Sequence, residues 1–338
     1  MSAGLVFAEG LGRSFAPRQL ILRGRAVPAV VDVSLSLAAG EAVGLVGESG
    51  SGKSTIGRLL LGLLAPTEGR VVFDGIEISG APADVLRRLR RRMQLIFQDP
   101  YASLDPRRRV GAQIAEGLLI HGLASGREAE ARARALLQEV GLPAEHAERY
   151  PQQFSGGQRQ RIGIARALAT GPDFLVADEP VSALDVSVQA QVLALLGDLC
   201  RRRGLTLLFI SHDLPVVRHL CARVVVLYLG RVMEEGRTED VFAGPRHPYT
   251  RALLAAAPRL DPGRRQERAP LAGELPSPAD PPSGCVFRTR CAYALPKCAE
   301  ERPVLREAGG AGHRAACIRD DIGRDDIGEI GGDMRPGG

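Results

Sequence analysis

Residues Gly47-Glu48-Ser49-Gly50-Ser51-Gly52-Lys53-Ser54 read G-x-x-x-x-G-K-S directly after an apolar, strand-like run, Glu41 to Val46. This spacing demands a strand, a glycine loop and then a helix. The glycines admit positive φ, so successive backbone N–H groups turn inward as a cradle for the β- and γ-phosphates of a nucleotide. Lys53 adds a compact positive charge, and the Ser54 hydroxyl suits Mg²⁺. Composition sharpens this reading. Of 44 Lys plus Arg only Lys53 and Lys297 are lysines, so a chain that writes nearly every cation as arginine keeps a lysine inside the loop.

Around this loop the first ~240 residues alternate short β-rich runs with helical spacing. Strands are expected at 41–46, 70–73, 94–97, 174–177, 206–210 and 224–227, and helices at 52–64, 157–169 and 186–203. The later runs are almost wholly apolar, as in parallel strands covered on both faces. The fold class is therefore α/β with a mostly parallel sheet, its ligand at the carboxyl ends of the strands. From about 99 to 155 the alternation gives way to helical patterning, clearest at Arg127–Val140, which marks an inserted helical subdomain.

At 338 residues the chain suits one large or two unequal domains, and its 45% hydrophobic and 25% charged content is that of a globular protein. No apolar run approaches the ~18 residues of a membrane span, and no secretory signal is visible at Met1–Gly10, so a cytoplasmic protein is expected. The net charge of +5 includes clusters at Arg87–Arg92 and Arg107–Arg109. Asp84–Arg92 reads as the solvated face of a short helix. No aromatic residue interleaves with its arginines, and no nucleic-acid partner is expected.

Phe174-Leu175-Val176-Ala177-Asp178-Glu179 is an apolar strand ending in two acids, about 125 residues after the phosphate loop. Asp178 suits the Mg²⁺ shell and Glu179 the general base that polarises water. His212, after another apolar strand, is placed to reach a γ-phosphate. Gln98 offers an uncharged ligand to the metal or its water, just before the helix-disfavouring Pro100. Phe154-Ser155-Gly156-Gly157-Gln158 opens a basic helix as a second phosphate-binding turn. One nucleotide does not need two such turns. A dimer in which this turn closes on nucleotide held by the other subunit resolves the surplus.

Taken together, these motifs resemble the ATP-binding cassette (ABC) family of P-loop NTPases over roughly residues 5–243. Gly47, Glu48, Ser49, Gly50, Ser51, Gly52, Lys53, Ser54 and Thr55 correspond to the Walker A loop, and Gln98 to the Q-loop. Ser155, Gly156, Gly157 and Gln158 form the signature, which begins with Phe154 where Leu is more usual. Leu175–Asp178 corresponds to Walker B, Glu179 to the catalytic glutamate, Ser182 and Asp185 to the D-loop, and His212 to the switch histidine. Phe15 stands where the family stacks an aromatic on adenine, although 18–28 matches poorly. The resemblance implies ATP and Mg²⁺, the metal held through Ser54, Gln98 and Asp178, with Lys53, Glu179 and His212 catalytic.

Val181–Gln189, Phe97–Leu104 and His247-Pro248-Tyr249-Thr250 are similar to the F-type ATPases of bacterial oligopeptide and dipeptide importers. That implies a D-type ATPase as heterodimeric partner, two transmembrane permeases, an extracytoplasmic binding protein, and a peripheral place on the cytoplasmic face of the membrane. Nickel, glutathione or sugar importers are alternative settings. A soluble ABC ATPase acting on ribosomes or DNA fits the short insertion less well.

Past Gly244 proline and glycine become frequent, and Cys285, Cys291, Cys298 and Cys317 fall in one segment, 244–318. In a cytosolic chain such a group favours metal over disulfides, but without a Cys-x-x-Cys pair a zinc ribbon is poorly supported. The subfamily's extension implies a [4Fe-4S] cluster on these four; zinc and free thiols stay open. His313 is a further candidate ligand expected near the surface, Cys200 and Cys221 are expected in the core, and 319–338 is expected to be disordered.

Overall fold

A computed structural model of the chain describes residues 4–16, 26–99, 101–256 and 273–321. Most of the expected tail, and most of the poorly matching 18–28 segment, lie outside these residues. Five parallel strands form the centre. In spatial order they are β9 (Arg223–Tyr228), β3 (Ala42–Val46), β8 (Thr206–Ser211), β7 (Phe174–Asp178) and β6 (Met93–Ile96). β7 is buried at every residue because both faces of the sheet are covered. Phe174 and Val176 enter one hydrophobic cluster, and Leu175 and Ala177 the other. The two-residue period of a strand makes this partition.

The first cluster fills the space under a second sheet, antiparallel, in the order β2 (Val27–Leu37), β1 (Val6–Phe15), β4 (Glu68–Phe73), β5 (Ile76–Glu77). The run expected at 70–73 therefore does not join the parallel sheet. It pairs antiparallel with β1, Val71 opposite Ala8. The run is a strand, as expected, but a short apolar run carries no signal of which sheet it joins. Between the sheets lies α1 (Lys53–Leu60), set close enough that a Cβ on Gly57 would meet Ile210 and Val176 at 3.0 Å. It stops short of the expected Leu64 because Gly62 turns the chain at φ 60°. The short α2 (Ala83–Arg90) buries only Leu89, as its arginine-rich face requires.

The other cluster holds the inserted helices α3 (Val110–Ile120) and α4 (Gly126–Glu139), with α5 (Gly156–Leu168), α6 (Val186–Arg203) and α7 (Leu214–Leu220). Gly141 (φ 75°) ends α4 and Gly204 (φ 64°) ends α6. Cys200 and Cys221 are buried here, as expected, and burial pushes the Cys200 thiol up to about 12.

The C-terminal segment is built onto this core. β10 (Arg231–Arg237) runs antiparallel to β9, then α8 (Thr238–Ala243) and α9 (Pro248–Ala256) follow. The tail adds α10 (Lys297–Glu300), β11 (Arg306–Glu307) and β12 (Arg314–Ala315), and β12 extends the main sheet beside β10. Glu234 of β10 is fully buried and accepts from the Arg246 and His247 N–H groups at 2.7 and 2.9 Å. His313 Nε2 lies 2.7 Å from the same carboxylate, and its ring is buried. The expectation of a near-surface His313 is thus corrected: the carboxylate draws it inward to close the tail onto β10.

Candidate functional site

Four neighbouring parallel strands end on one edge, and the Gly47–Ser54 loop, Gln98, Asp178, Glu179 and His212 stand at or just after those ends. Val46 of β3 lies opposite Ser211 of β8, Asp178 of β7 opposite Ile210, and Ile96 of β6 opposite Ala177. Their continuations bring together the Gly47–Ser54 loop, His212, Asp178-Glu179 and Gln98.

The loop's shape depends on its glycines. A Cβ on Gly47 would lie 2.1 Å from the Leu227 carbonyl oxygen, and one on Gly52, at φ 101°, would lie 2.3 Å from that of Ala29. Gly52 caps α1, whose first turn bears Lys53, Ser54 and Thr55. Lys53 Nζ curls back to donate to the Gly47 and Glu48 carbonyls at 2.7 and 2.8 Å. Burial lowers its pKa from the ordinary lysine value, while Glu179, Asp178 and Glu48 oppose that shift. Ser49 and Gly50 are exposed at the mouth, and Ser51 is buried behind them.

Ser54 Oγ donates to Asp178 Oδ1 at 2.8 Å, and burial raises the Asp178 carboxyl from its ordinary range. A hydroxyl and a carboxylate at this separation, beside an ammonium, form the oxygen-rich setting that Mg²⁺ selects. Glu179 is left-handed at φ 44°, an uncommon conformation for a residue with a side chain. Its N–H donates to Ile210 O at 3.0 Å, and its carbonyl accepts from the Ser182 hydroxyl at 3.1 Å. So held, its carboxylate accepts from Gln98 Nε2 at 3.0 Å and lies 3.3 Å from His212 Nδ1.

The remaining motif residues sit on other elements. Phe15 ends β1 as an exposed residue, with the Arg13 guanidinium 4.9 Å from its ring centroid. Ser155 caps α5, accepting from Gln158 N–H at 3.4 Å, while Gln158 Oε1 accepts from Ser155 N–H at 3.1 Å. A Cβ on Gly157 would lie 2.3 Å from Val188, so α5 and α6 touch at that glycine. Ser182 and Asp185 are exposed on the approach to α6. The fold thus gathers the Walker, Gln98 and His212 groups into one site and puts the signature turn on the helical side of the molecule.

A family profile described as "ABC transporter" matches residues 30–182, and one described as "Oligopeptide/dipeptide transporter, C-terminal region" matches 233–298. A putative peptide import ATP-binding protein of Brucella ovis is 57% identical over 319 residues, covering 94% of this chain and 98% of that one. The chain belongs to the ABC transporter family of ATP-binding proteins. The dipeptide transport ATP-binding protein DppF of Escherichia coli is 48% identical over 296 residues, 88% of this chain and 87% of DppF. Among solved structures, a post-hydrolysis dimer of the ATP-binding cassette MJ0796 with ADP and Pi superposes with a TM-score of 0.62. It is 32% identical and covers 69% of this chain and 98% of that one.

In this ABC protein the four tail cysteines converge. Cys285, Cys291, Cys298 and Cys317 line one small cavity, with His247 and Phe287. Burial pushes the Cys291 thiol up to about 11 and raises those of Cys285 and Cys317. The donor chemistry suits a soft metal centre. Yet no group of three or more His, Cys, Asp or Glu among the described residues stands in a metal-holding arrangement.

Two contacts to the nucleotide loop had no signal in the motifs. The Tyr249 hydroxyl accepts from Glu48 N–H at 2.9 Å, and the Arg290 guanidinium clasps the Glu48 carboxylate. His247–Thr250 is legible as a subfamily mark, but nothing in its spacing tells where Tyr249 points.

Proposed function

We propose that the chain is the ATP-hydrolysing subunit of an ABC importer for di- or oligopeptides, peripheral on the cytoplasmic face of the membrane. No helix among the described residues is long and apolar enough to cross a membrane, so permease partners would hold it there. The ATPase part is carried by the Gln98–Glu179–His212 network beside the Lys53 loop, all on one sheet edge. The cargo rests on the names of the relatives and on the match of the tail to the oligopeptide/dipeptide profile.

The loop N–H groups and Lys53 bind the β- and γ-phosphates, and the exposed Phe15 ring offers adenine a stacking face. Ser54, Asp178 and Gln98 would hold Mg²⁺. Bound there, the ion supplies Lewis-acid neutralisation of the phosphate oxygens. Glu179 accepts the proton of the attacking water, and Gln98 and His212 orient its carboxylate from two sides. Within the signature turn Ser155–Gln158, whose end N–H groups are taken up by its own capping box, the Gly156 and Gly157 N–H groups would be presented to nucleotide held by a second cassette subunit, with Ser182 and Asp185 at the same junction. The division at 243 into a nucleotide-binding domain and an extension is part of this proposal, as is a D-type ATPase as the second subunit.

The tail cysteines carry a finer part, a [4Fe-4S] cluster on Cys285, Cys291, Cys298 and Cys317, supported by their shared cavity. Iron and acid-labile sulfide in the anaerobically purified chain, lost on replacing any two of the four, is the expected result. A metal-free chain of full activity would remove the cluster from the account.

The importer is tested by mass spectrometry of what co-purifies with the tagged chain from detergent-solubilised native membranes. Two multi-span permeases and a related ATPase are expected. Ribosomal or DNA-repair proteins, with no membrane protein enriched, would overturn transport and leave only the ATPase.

A further inference from the structure

The tail reaches into the nucleotide loop. Arg290 stands in the short turn Arg288–Arg290, just before Cys291, and its side chain is 4% exposed. Its Nη1 and Nη2 donate to the two carboxylate oxygens of Glu48 at 2.6 and 3.0 Å, across 242 residues of sequence. A forked pair of this kind fixes orientation as well as distance. The same Nη1 lies 3.4 Å from the Tyr228 hydroxyl. Tyr228, Tyr249 and Phe287 pack against one another with centroids 4.8 to 5.3 Å apart, which makes the surroundings of the guanidinium rigid.

Glu48 is therefore held at three groups. Its carboxylate meets Arg290, its N–H donates to Tyr249, and its carbonyl accepts from Lys53 Nζ at 2.8 Å. An acid in a loop that receives a triphosphate is a liability, because like charges repel across a partly desolvated site. A surface ion pair that merely fastened the tail would not need to end on this loop. Nor would it need burial to 4%.

We propose that Arg290 is a positioning residue for ATP: it cancels the Glu48 charge and locks the entrance of the phosphate loop, which makes the C-terminal extension a part of the nucleotide site in cis. The inference rests on the ATP-binding reading above. It goes beyond the motifs, since Arg290 lies outside them all.

The test compares Mg-ATP affinity, by calorimetry, of the full-length wild type, Arg290→Gln, Arg290→Lys and the double variant Arg290→Gln/Glu48→Gln, with thermal melts alongside. Arg290→Gln orphans the Glu48 carboxylate and is expected to weaken ATP about tenfold. Arg290→Lys keeps the charge without the fork and loses less, about threefold. The double variant has no charge left to cancel and regains most of the affinity, which also decides the matter should Arg290→Gln fold poorly. Wild-type affinity in Arg290→Gln, or a double variant as weak as the single one, overturns the proposal and leaves a plain docking contact. A wild type that binds no ATP would fail at the underlying reading instead.

Discussion

Glu179 shows what the motif alone could not. Its place after an apolar strand is readable from sequence, but its left-handed φ of 44° is not. Strain of this kind persists where surrounding bonds over-determine it, and here Ile210 O and Ser182 Oγ do so. The glycines divide as well. Gly52 is a fixed glycine of the motif and Gly50 stands at one of its variable positions, and the structure bears out the distinction: a Cβ at Gly52 would lie 2.3 Å from the Ala29 carbonyl oxygen, while one at Gly50 meets nothing within 4 Å. Gly52→Ala is therefore expected to destabilise the fold by about 2–4 kcal/mol and to abolish ATP binding. Gly50→Ala costs only its positive φ of 78°, about 1 kcal/mol. Urea denaturation of the two variants checks the contrast, and equal losses would contradict it.

Among the elements, β7 and β8 were readable because both faces are buried and an apolar run of that length has few other uses. β1 and β2 were not. Their pairing carries register shifts at three places, between Ala8 and Leu11, Leu11 and Arg13, and Arg13 and Ser14, and each bulge breaks the two-residue period that betrays a strand. The junction of tail and core yields a prediction of its own. His247 is buried and accepts from Tyr249 N–H on Nδ1 at 3.0 Å, and burial lowers its pKa from 6.5 to about 4, against the opposing pull of Glu234. A depressed folded-state pKa means that the unfolded chain binds the proton first. The stability due to the neutral ring is present above pH 6.5 and declines as pH falls from there toward 4. Melting temperature should drop over that window in the wild type and drop less in His247→Gln. Parallel curves for the two would contradict it.

For the molecule as a whole, the spacing of the motifs conveyed that one strand edge would gather Lys53, Gln98, Asp178, Glu179 and His212, because parallel α/β sheets deliver their loops to one side. It did not convey that the C-terminal segment would extend the main sheet through β12 and pair Arg290 with Glu48, since contacts at such separation leave no periodic trace. The Ser155–Gln158 turn and the Gly47–Ser54 loop lie on different elements, α5 and α1.

The central claim is that Glu179 drives hydrolysis of ATP held by this chain. The most direct measurement is phosphate release, with recovery of bound nucleotide, by the chain purified with its membrane partners, comparing wild type with Glu179→Gln. The expected result is release slowed by roughly 10²–10⁴-fold, the range of a lost general base, with unhydrolysed ATP retained on the variant. Wild-type turnover in Glu179→Gln, or loss of bound ATP in place of its retention, would contradict the assignment.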